Sequence, residues 1–299
     1  MTNELQNTFV HAIEAAVKTG FTGEQIGALS PVLYQILETA PDAWQALAND
    51  LISGEDDKDK VYAITRSLGL EDDLGMLAVC LLSTEASHRY YREHQIDEEI
   101  YWASMRDIWV WTQTCIENRH HLGVYQYGWL HNFWTAKIVR LGRLEFHIIE
   151  YDLDTPYTAC GVTVQKGDPV INTHIPADGH FEPADVQDAF CRAYRYFGKT
   201  GITPIVCSSW LLYPDNRKFC APNSRMVAFL DNFTILQSYG KQDSGDLWRV
   251  FGVRDSYEPD TLPENTPLQR QLKKHLQNGG TMGSGYGILL HDGKERVDK

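Results

Sequence analysis

Through the first 118 residues the apolar positions recur with the spacing of helices. Leu5, Phe9, Ile13, Ala16 and Val17 make one stripe that ends at Gly20. Thr22 to Gln25 has the spacing of a capping box and opens a second helix, and Pro31 and Pro41 punctuate the next segments. Trp44, Leu47, Ala48, Leu51 and Ile52 form a further stripe, and Leu74, Leu77, Ala78, Leu81 and Leu82 mark a buried helix. The longest predicted helix runs from Asp97 to Asn118, and three acids at its start complement the helix dipole. Its aromatic and aliphatic positions, Trp102, Met105, Ile108 and Trp109 among them, cover more than one stripe, so packing on two sides is expected.

Beyond Arg119-His120-His121 and Gly123 the period changes. Trp134 to Val139 and Leu144 to Tyr151 read as antiparallel strands about a turn at Gly142. The stretch from Asp168 to Pro214 then reads as strand, helix, strand. Val170 to Ile175 is β-branched and stops at Pro176. Val186, Phe190, Ala193, Tyr194 and Phe197 share one helical face between Pro183 and Gly198. Ile205 to Leu212 is an apolar run bounded by Pro204 and Pro214. A crossover of this length joins parallel strands, and ligands in such sheets sit at the carboxyl ends of the strands. Asn223 to Leu230 predicts a short helix, Phe233 to Tyr239 a strand, Asp246 to Val253 another, Thr266 to Leu276 an amphipathic helix and Gly285 to Leu290 a closing strand. The expectation is an all-helical domain over residues 1–120 followed by an α/β domain with a mixed sheet over residues 121–299.

Composition narrows the function. The chain has 299 residues and a net charge of −13, so it lacks the basic face that nucleic-acid binding requires. No apolar run reaches membrane-spanning length, and the N-terminus has neither a basic start nor an apolar core. A cytoplasmic protein is expected. The six cysteines are scattered without a C-x-x-C pair, as reduced small hydrophobes would be.

Several residue types could carry chemistry. His174 sits where the first central strand stops and has the titration range of a general base or acid, against the plainer reading of a structural histidine. Cys207 at the end of the second strand is a candidate nucleophile or an inert buried thiol. Ser208 lacks the G-x-S-x-G elbow of a hydrolase, and alternation puts it with Trp210 on the strand face opposite Cys207 and Ser209. Arg140, Arg143, Arg249 and Arg254 lie nearest to predicted strand ends and could gather an anion. The glycines from 279 to 287 follow a helix and precede a strand, the reverse of a dinucleotide fingerprint, and read as a mobile or tight connection. Metal is not expected. The acidic Ser53 to Lys60 stretch lacks EF-hand spacing, and the adjacent His120 and His121 point apart with no third ligand in view.

RLGRLEF (Arg140 to Phe146), THIP (Thr173 to Pro176), SSWLL (Ser208 to Leu212) and the block Asp260 to Gly280 with the following GSGYG resemble a bacterial two-domain acyltransferase family. That family carries a helical N-acyltransferase-type domain followed by a GNAT-like domain. The resemblance implies that the two central strands splay, that an acyl-CoA or acetyl-CoA thioester enters the gap, and that a small-molecule amine accepts the acyl group. On that reading of the strands, His174 is the candidate for proton transfer, and Thr173, Ile175, Ser209, Trp210, Arg140 and Arg143 are the candidates about the donor. One feature departs from the pattern. Where a glycine-rich pyrophosphate loop belongs, the chain has residues 177–183 with one glycine, Asp178, Glu182 and Pro183. Two carboxylates oppose a phosphate, which implies weak CoA binding or an acyl carrier protein as donor. Two other readings stay open: a non-catalytic GNAT-like module for a small molecule or partner, and a hydrolase or covalent transferase using Cys207 or Ser208.

Overall fold

Threonine side chains open the first two helices. Thr2 and Thr22 each accept a backbone N–H in the first turn, and Thr22 forms the full capping box with Gln25. The computed structural model describes residues 2–53, 58–179, 182–241, 246–252 and 257–299. Residues 54–57 of the acidic stretch, Val253 and Arg254 lie outside them. The chain divides into two compact units, Met1–Leu141 with Pro176–Asp178, and Gly142–Ile175 with Gly179–Lys299.

The first unit is helical: α1 (Asn3–Thr19), α2 (Gly23–Thr39), α3 (Pro41–Ser53), α4 (Lys58–Ser67), α5 (Asp72–Glu93), α6 (Glu98–Arg119) and the single turn α7 (Tyr127–Leu130), followed by the short strand β1 (Val139–Leu141). Helix α5 is buried nearly all round from Gly75 to Ser87, and the other six helices pack against it. Helix α6 packs on α1, α5 and β1, so its wide apolar surface has the several neighbours its pattern implied. Three tryptophans in and around it have their indole N–H groups satisfied. Trp111 donates to Asp107 at 3.1 Å, Trp129 donates to the same carboxylate oxygen at 2.7 Å, and Trp102 donates to Glu98 at 2.6 Å. Two expectations fail here. Pro31 lies inside α2 instead of ending it, and Val17 is exposed instead of buried.

The second unit contains β2 (Leu144–Glu150), the hairpin β3 (Tyr157–Ala159) and β4 (Val162–Val164), β5 (Pro169–His174), α8 (Pro183–Tyr196), β6 (Thr203–Ser209), α9 (Arg225–Leu230), β7 (Thr234–Lys241), α10 (Trp248–Phe251), α11 (Pro267–Gln277) and β8 (Met282–His291). Its main strands run in the order β2-β5-β6-β8-β7. Strands β5 and β6 are parallel, as the crossover through α8 requires, and the other neighbours are antiparallel. One sheet face buries Val170, Val206, Ile288 and Leu290 with Tyr151 and the β3–β4 hairpin. Phe190 of α8 meets Phe146 at 6.3 Å and Phe233 at 5.9 Å between ring centroids.

Four predicted elements are corrected. Trp134 to Val139 is not a strand, because Phe133, Trp134 and Ile138 are buried in the helical core, and only Val139–Leu141 is extended. Within the run predicted as a strand from Asp246 to Val253, the described residues form the helical turn α10, closed by Gly252 in the left-handed conformation. The strand predicted to Leu212 stops at Ser209, whose hydroxyl caps a 3-10 turn over Trp210–Leu212. The glycine stretch is largely strand, not connection. Gly283, Gly285 and Gly287 share one face of β8, where Leu212, Tyr213 and Phe233 close onto bare backbone.

That packing gives a sharp test. A Cβ at Gly285 would collide with the Leu212 carbonyl oxygen, which is backbone and cannot rotate away. Gly285→Ala should destabilise by about 1–3 kcal/mol through overpacking. Gly27 lies within α2 with nothing near its missing Cβ, so Gly27→Ala should stabilise by about 0.5–1 kcal/mol. Denaturant midpoints of the two variants should move in opposite directions. Equal shifts would contradict the role assigned to the β8 glycines.

Candidate active site

Strand β5 stays paired with β2 along its whole length, to His174 opposite Glu145. Against β6 it pairs only at Ile171 with Ile205 and Asn172 with Val206. Strand β6 continues alongside β8 to Ser209 opposite Gly285. Each central strand therefore follows a different outer neighbour beyond the second pair, and the two part at their carboxyl ends. Thr173, His174, Cys207, Ser208 and Ser209 all lie past the parting point.

Antiparallel partners share a sheet face, so the register puts Glu145, His147, Asn172 and His174 together. The Asn172 amide nitrogen lies 2.9 Å from His147 Nε2 and 3.1 Å from His174 Nε2, and the two Nε2 atoms are 3.2 Å apart. An amide N–H only donates, so at least one imidazole presents its Nε2 lone pair to this cluster. Burial first, and His147 second, hold His174 down to about 3 from 6.5. His174 is thus a neutral imidazole throughout the neutral range. His147 was not singled out in the sequence. It alternates with Glu145 and Ile149 on β2, but only the β2–β5 register reveals that it faces Asn172.

The remaining candidates separate. Cys207 is fully buried, and burial pushes its thiol far above its ordinary range, which is the environment of an inert cysteine and not of a nucleophile. Ser208 is exposed and sits opposite Tyr286. Burial and the neighbouring Asp152 raise the Tyr286 phenol. The Ser209 hydroxyl accepts from the Leu211 amide at 3.2 Å. The Trp210 carbonyl accepts from Asn216 at 2.8 Å, and its ring packs with the α10–α11 core. Thr173 is buried, and its hydroxyl has no hydrogen-bond partner among the described residues. Ile175 is half-buried just past the strand. Arg143 places Nη2 3.5 Å from the Gly179 carbonyl oxygen. Arg249 pairs with Asp246 at 3.0 Å and stacks on Trp248, and it lies on a helical turn instead of a strand end.

Arg140 belongs to the first unit. Its backbone N–H donates to Ser104 at 3.0 Å, and its Nη2 reaches both Asp178 oxygens, at 3.0 and 3.1 Å. Arg106 donates to the same carboxylate at 2.9 Å and to the Thr19 carbonyl at 2.8 Å. In the second unit Glu182 pairs with Arg225 at 2.6 Å. The expectation of two bare carboxylates repelling phosphate is therefore corrected, since each is matched by guanidinium. Pro183 at the first turn of α8 still removes one amide donor.

Both the clamp and the histidine are open to measurement. The Arg140–Asp178 pair is 8% and 10% exposed at its side chains, so Asp178→Ala should cost about 3 kcal/mol by stranding a buried guanidinium. An unchanged denaturant midpoint would remove the clamp. His174 has a folded pKa below its unfolded one, so the unfolded chain binds more protons between about 3 and 6.5, and stability falls as pH falls through that window. His11, held to about 4 by burial and His88, acts in the same sense, so the difference between chains is the observable. His174→Gln should flatten the slope by up to one proton, about 1.4 kcal/mol per pH unit. Superimposable slopes would place His174 in solvent.

Two domain families match consecutive parts of the chain, the N-acyltransferase N-terminal domain over residues 11–136 and the GNAT-like C-terminal domain over residues 138–289. No curated protein matches. Solved structures share the fold. An acyltransferase in complex with decanoyl-CoA aligns at a TM-score of 0.63 and 17% identity, covering 93% of this chain and 98% of that one. An acyltransferase in complex with decanoyl-CoA and teicoplanin aligns at 0.60 and 17%, covering 93% and 99%. One in complex with CoA and 10C-teicoplanin aligns at 0.60 and 18%, covering 93% and 98%. Among the described residues no helix is long and apolar enough to cross a membrane. The two domain matches follow the order of a helical unit and then a mixed sheet, and the chain belongs to the family defined by the GNAT-like C-terminal domain, carried here behind an N-acyltransferase N-terminal domain.

Proposed function

We propose that the protein transfers an acyl group from an acyl-CoA thioester to the amine of a small-molecule acceptor, with His174 as the proton acceptor. The observation that carries this reading is the parting of β5 and β6 after two residue pairs, with a neutral histidine at the mouth. A strand edge released from its neighbour offers backbone groups to a thioester arm, and the buried Thr173 hydroxyl is a further donor beside it. The solved structures of the same fold in complex with CoA, decanoyl-CoA and teicoplanin support acyl-CoA as donor. The arginines that offset Asp178 and Glu182 remove the main electrostatic objection to it.

The chemistry balances without a covalent enzyme intermediate. The acceptor nitrogen attacks the thioester carbonyl carbon, the nitrogen's proton passes to the imidazole of His174, and the C–S bond breaks to release CoA thiolate. The imidazolium then returns its proton to the thiolate or to solvent. Holding donor and acceptor together supplies much of the acceleration, and the histidine adds proton transfer. Asn172 and His147 act as positioning residues, because their contacts fix the His174 ring. The buried thiol of Cys207 does not favour a route through an acyl-cysteine.

The test is CoA release from acyl-CoA in the presence of amine acceptors, with binding measured separately by calorimetry. His174→Gln should lower kcat by about 10²–10⁴ while leaving acyl-CoA affinity within a few-fold. The wild-type rate should show no loss assignable to His174 as pH falls from 6.5 towards its folded value of about 3. Tight acyl-CoA binding without turnover on any amine would instead make the chain a binding module. Turnover only with carrier-bound acyl groups would replace CoA by an acyl carrier protein. A stable acyl mass on wild-type enzyme would require a covalent route.

A further inference from the structure

Far from the parted strands in sequence, the first unit gathers an aspartate, a cysteine and a histidine from three separate stretches. Asp73 lies in the first turn of α5, Cys115 in the last turns of α6, and His121 just past the end of that helix. Asp73 Oδ2 is 2.9 Å from His121 Nε2 and 3.8 Å from Cys115 Sγ, and all three atoms lie within 4.8 Å of one another. The aspartate and histidine border a cleft of about 540 Å³ lined also by Lys58, Tyr62 and Tyr125.

The backbone builds this arrangement. His120 takes the left-handed conformation at φ 60°, which turns the chain so that His121 faces back over α6. The Val124 amide donates to the Asp73 carbonyl at 2.9 Å. A Cβ at Gly123 would come 2.6 Å from the Asp73 Cβ, so only glycine lets the loop close onto α5 here. Of the adjacent histidines, His121 joins the cluster. The partners missing from its sequence neighbourhood come from other elements.

The orientation of the His121 ring is the decisive feature. Its Nδ1 lies 3.0 Å from the Arg119 carbonyl oxygen, which can only accept, so Nδ1 carries a proton. Nε2 faces the Asp73 carboxylate at 2.9 Å, so a proton bridges the two in the metal-free chain, and a metal would take that proton's place. A ring N–H held by a backbone carbonyl while the other nitrogen faces the remaining ligands is the usual outer support of a metal-bound histidine. The cation would also sit at the C-terminal end of α6, where the helix dipole favours positive charge.

We propose that Asp73, Cys115 and His121 form a binding site for a zinc-class divalent ion, with water completing a tetrahedron. One carboxylate, one thiolate and one imidazole suit a borderline-soft cation with no strict geometry, and the two negative ligands neutralise its charge. Binding releases the Cys115 proton and any proton on His121 Nε2; nothing is oxidised or reduced. Arg119 is the competitor. Its Nη1 lies 2.6 Å from Asp73 Oδ2, but the side chain is 45% exposed and stacks on Tyr125 at 4.0 Å. The ion displaces it from the carboxylate, and although Asp73 is only 11% exposed, the guanidinium can turn out to solvent. Because the thiol gives up its proton on binding, affinity should climb with pH.

Cobalt(II) titration of the metal-free full-length chain reads the site directly. One ion per chain should bind with a thiolate-to-cobalt charge-transfer band and strong tetrahedral ligand-field absorption, and zinc should displace it. Cys115→Ser should abolish the charge-transfer band, His121→Gln should weaken binding at least about tenfold, and Arg119→Gln should tighten it. His121 is exposed, so its variant should fold even if the buried Cys115→Ser does not. Zinc should raise the melting temperature of the wild type and leave that of His121→Gln unmoved. Absence of the charge-transfer band in the wild type, its survival in Cys115→Ser, or equal cobalt affinity in wild type and His121→Gln would overturn the assignment.

Discussion

Two residue pairs, Ile171 with Ile205 and Asn172 with Val206, join the halves of the central sheet in the second unit. On one side β5 is fixed to β2 over six pairs, and on the other β6 is fixed to β8 over seven. Beyond those two pairs each central strand stays with its outer neighbour, and the strands part there. Everything assigned to the site depends on that geometry. The polar residues at the strand ends escape the ladder, the histidine at the mouth keeps a desolvated ring, and the crossover helix α8 begins a few residues on. A full-length parallel pairing would have consumed the backbone groups that a thioester needs.

Charge is managed locally around these features. The chain carries thirteen more acids than bases, yet the segment linking β5 to α8 does not leave its two acids bare. Asp178 is shared by two guanidinium groups and Glu182 is matched by a third. Arg140 reaches both Asp178 oxygens from the single nitrogen Nη2, and Arg106 adds its Nε to one of them, so the carboxylate is held by two side chains. Asp107 in α6 shows the same economy with neutral donors, holding two indole N–H groups in the helical core.

The strand-helix-strand centre was legible because its signals are local: β-branched runs, a 3.6-residue stripe and flanking prolines. The helical unit was legible for the same reason, and so was the family, through short motifs in a fixed order. What could not be read was set by partners distant in sequence. The Trp134 to Val139 run has the look of a strand, but its large side chains are claimed by the helical core. The β8 glycines suggest a loop until Leu212, Tyr213 and Phe233 are seen against them. At the site, His174 was visible as a histidine at a strand end, whereas its pairing with His147 depends on register between β2 and β5. Asp178 and Glu182 were visible as charges without the arginines that answer them, which is why the linking segment looked hostile to phosphate.

The glycine face of β8 also bears on how the chain assembles. Glycine surrenders more backbone freedom on ordering than any other residue, so three in one strand make that strand costly to form alone. Strand β8 lies between β6 and β7, pairs with both, and comes last in the sequence of strands. During synthesis β6 and β7 therefore emerge with open edges that wait for residues 282–291 before they can close. Until then the half-built sheet presents unpaired backbone to other nascent chains. Slow emergence of that segment, or its removal, should leave an aggregation-prone intermediate whose β2–β5 half is already intact.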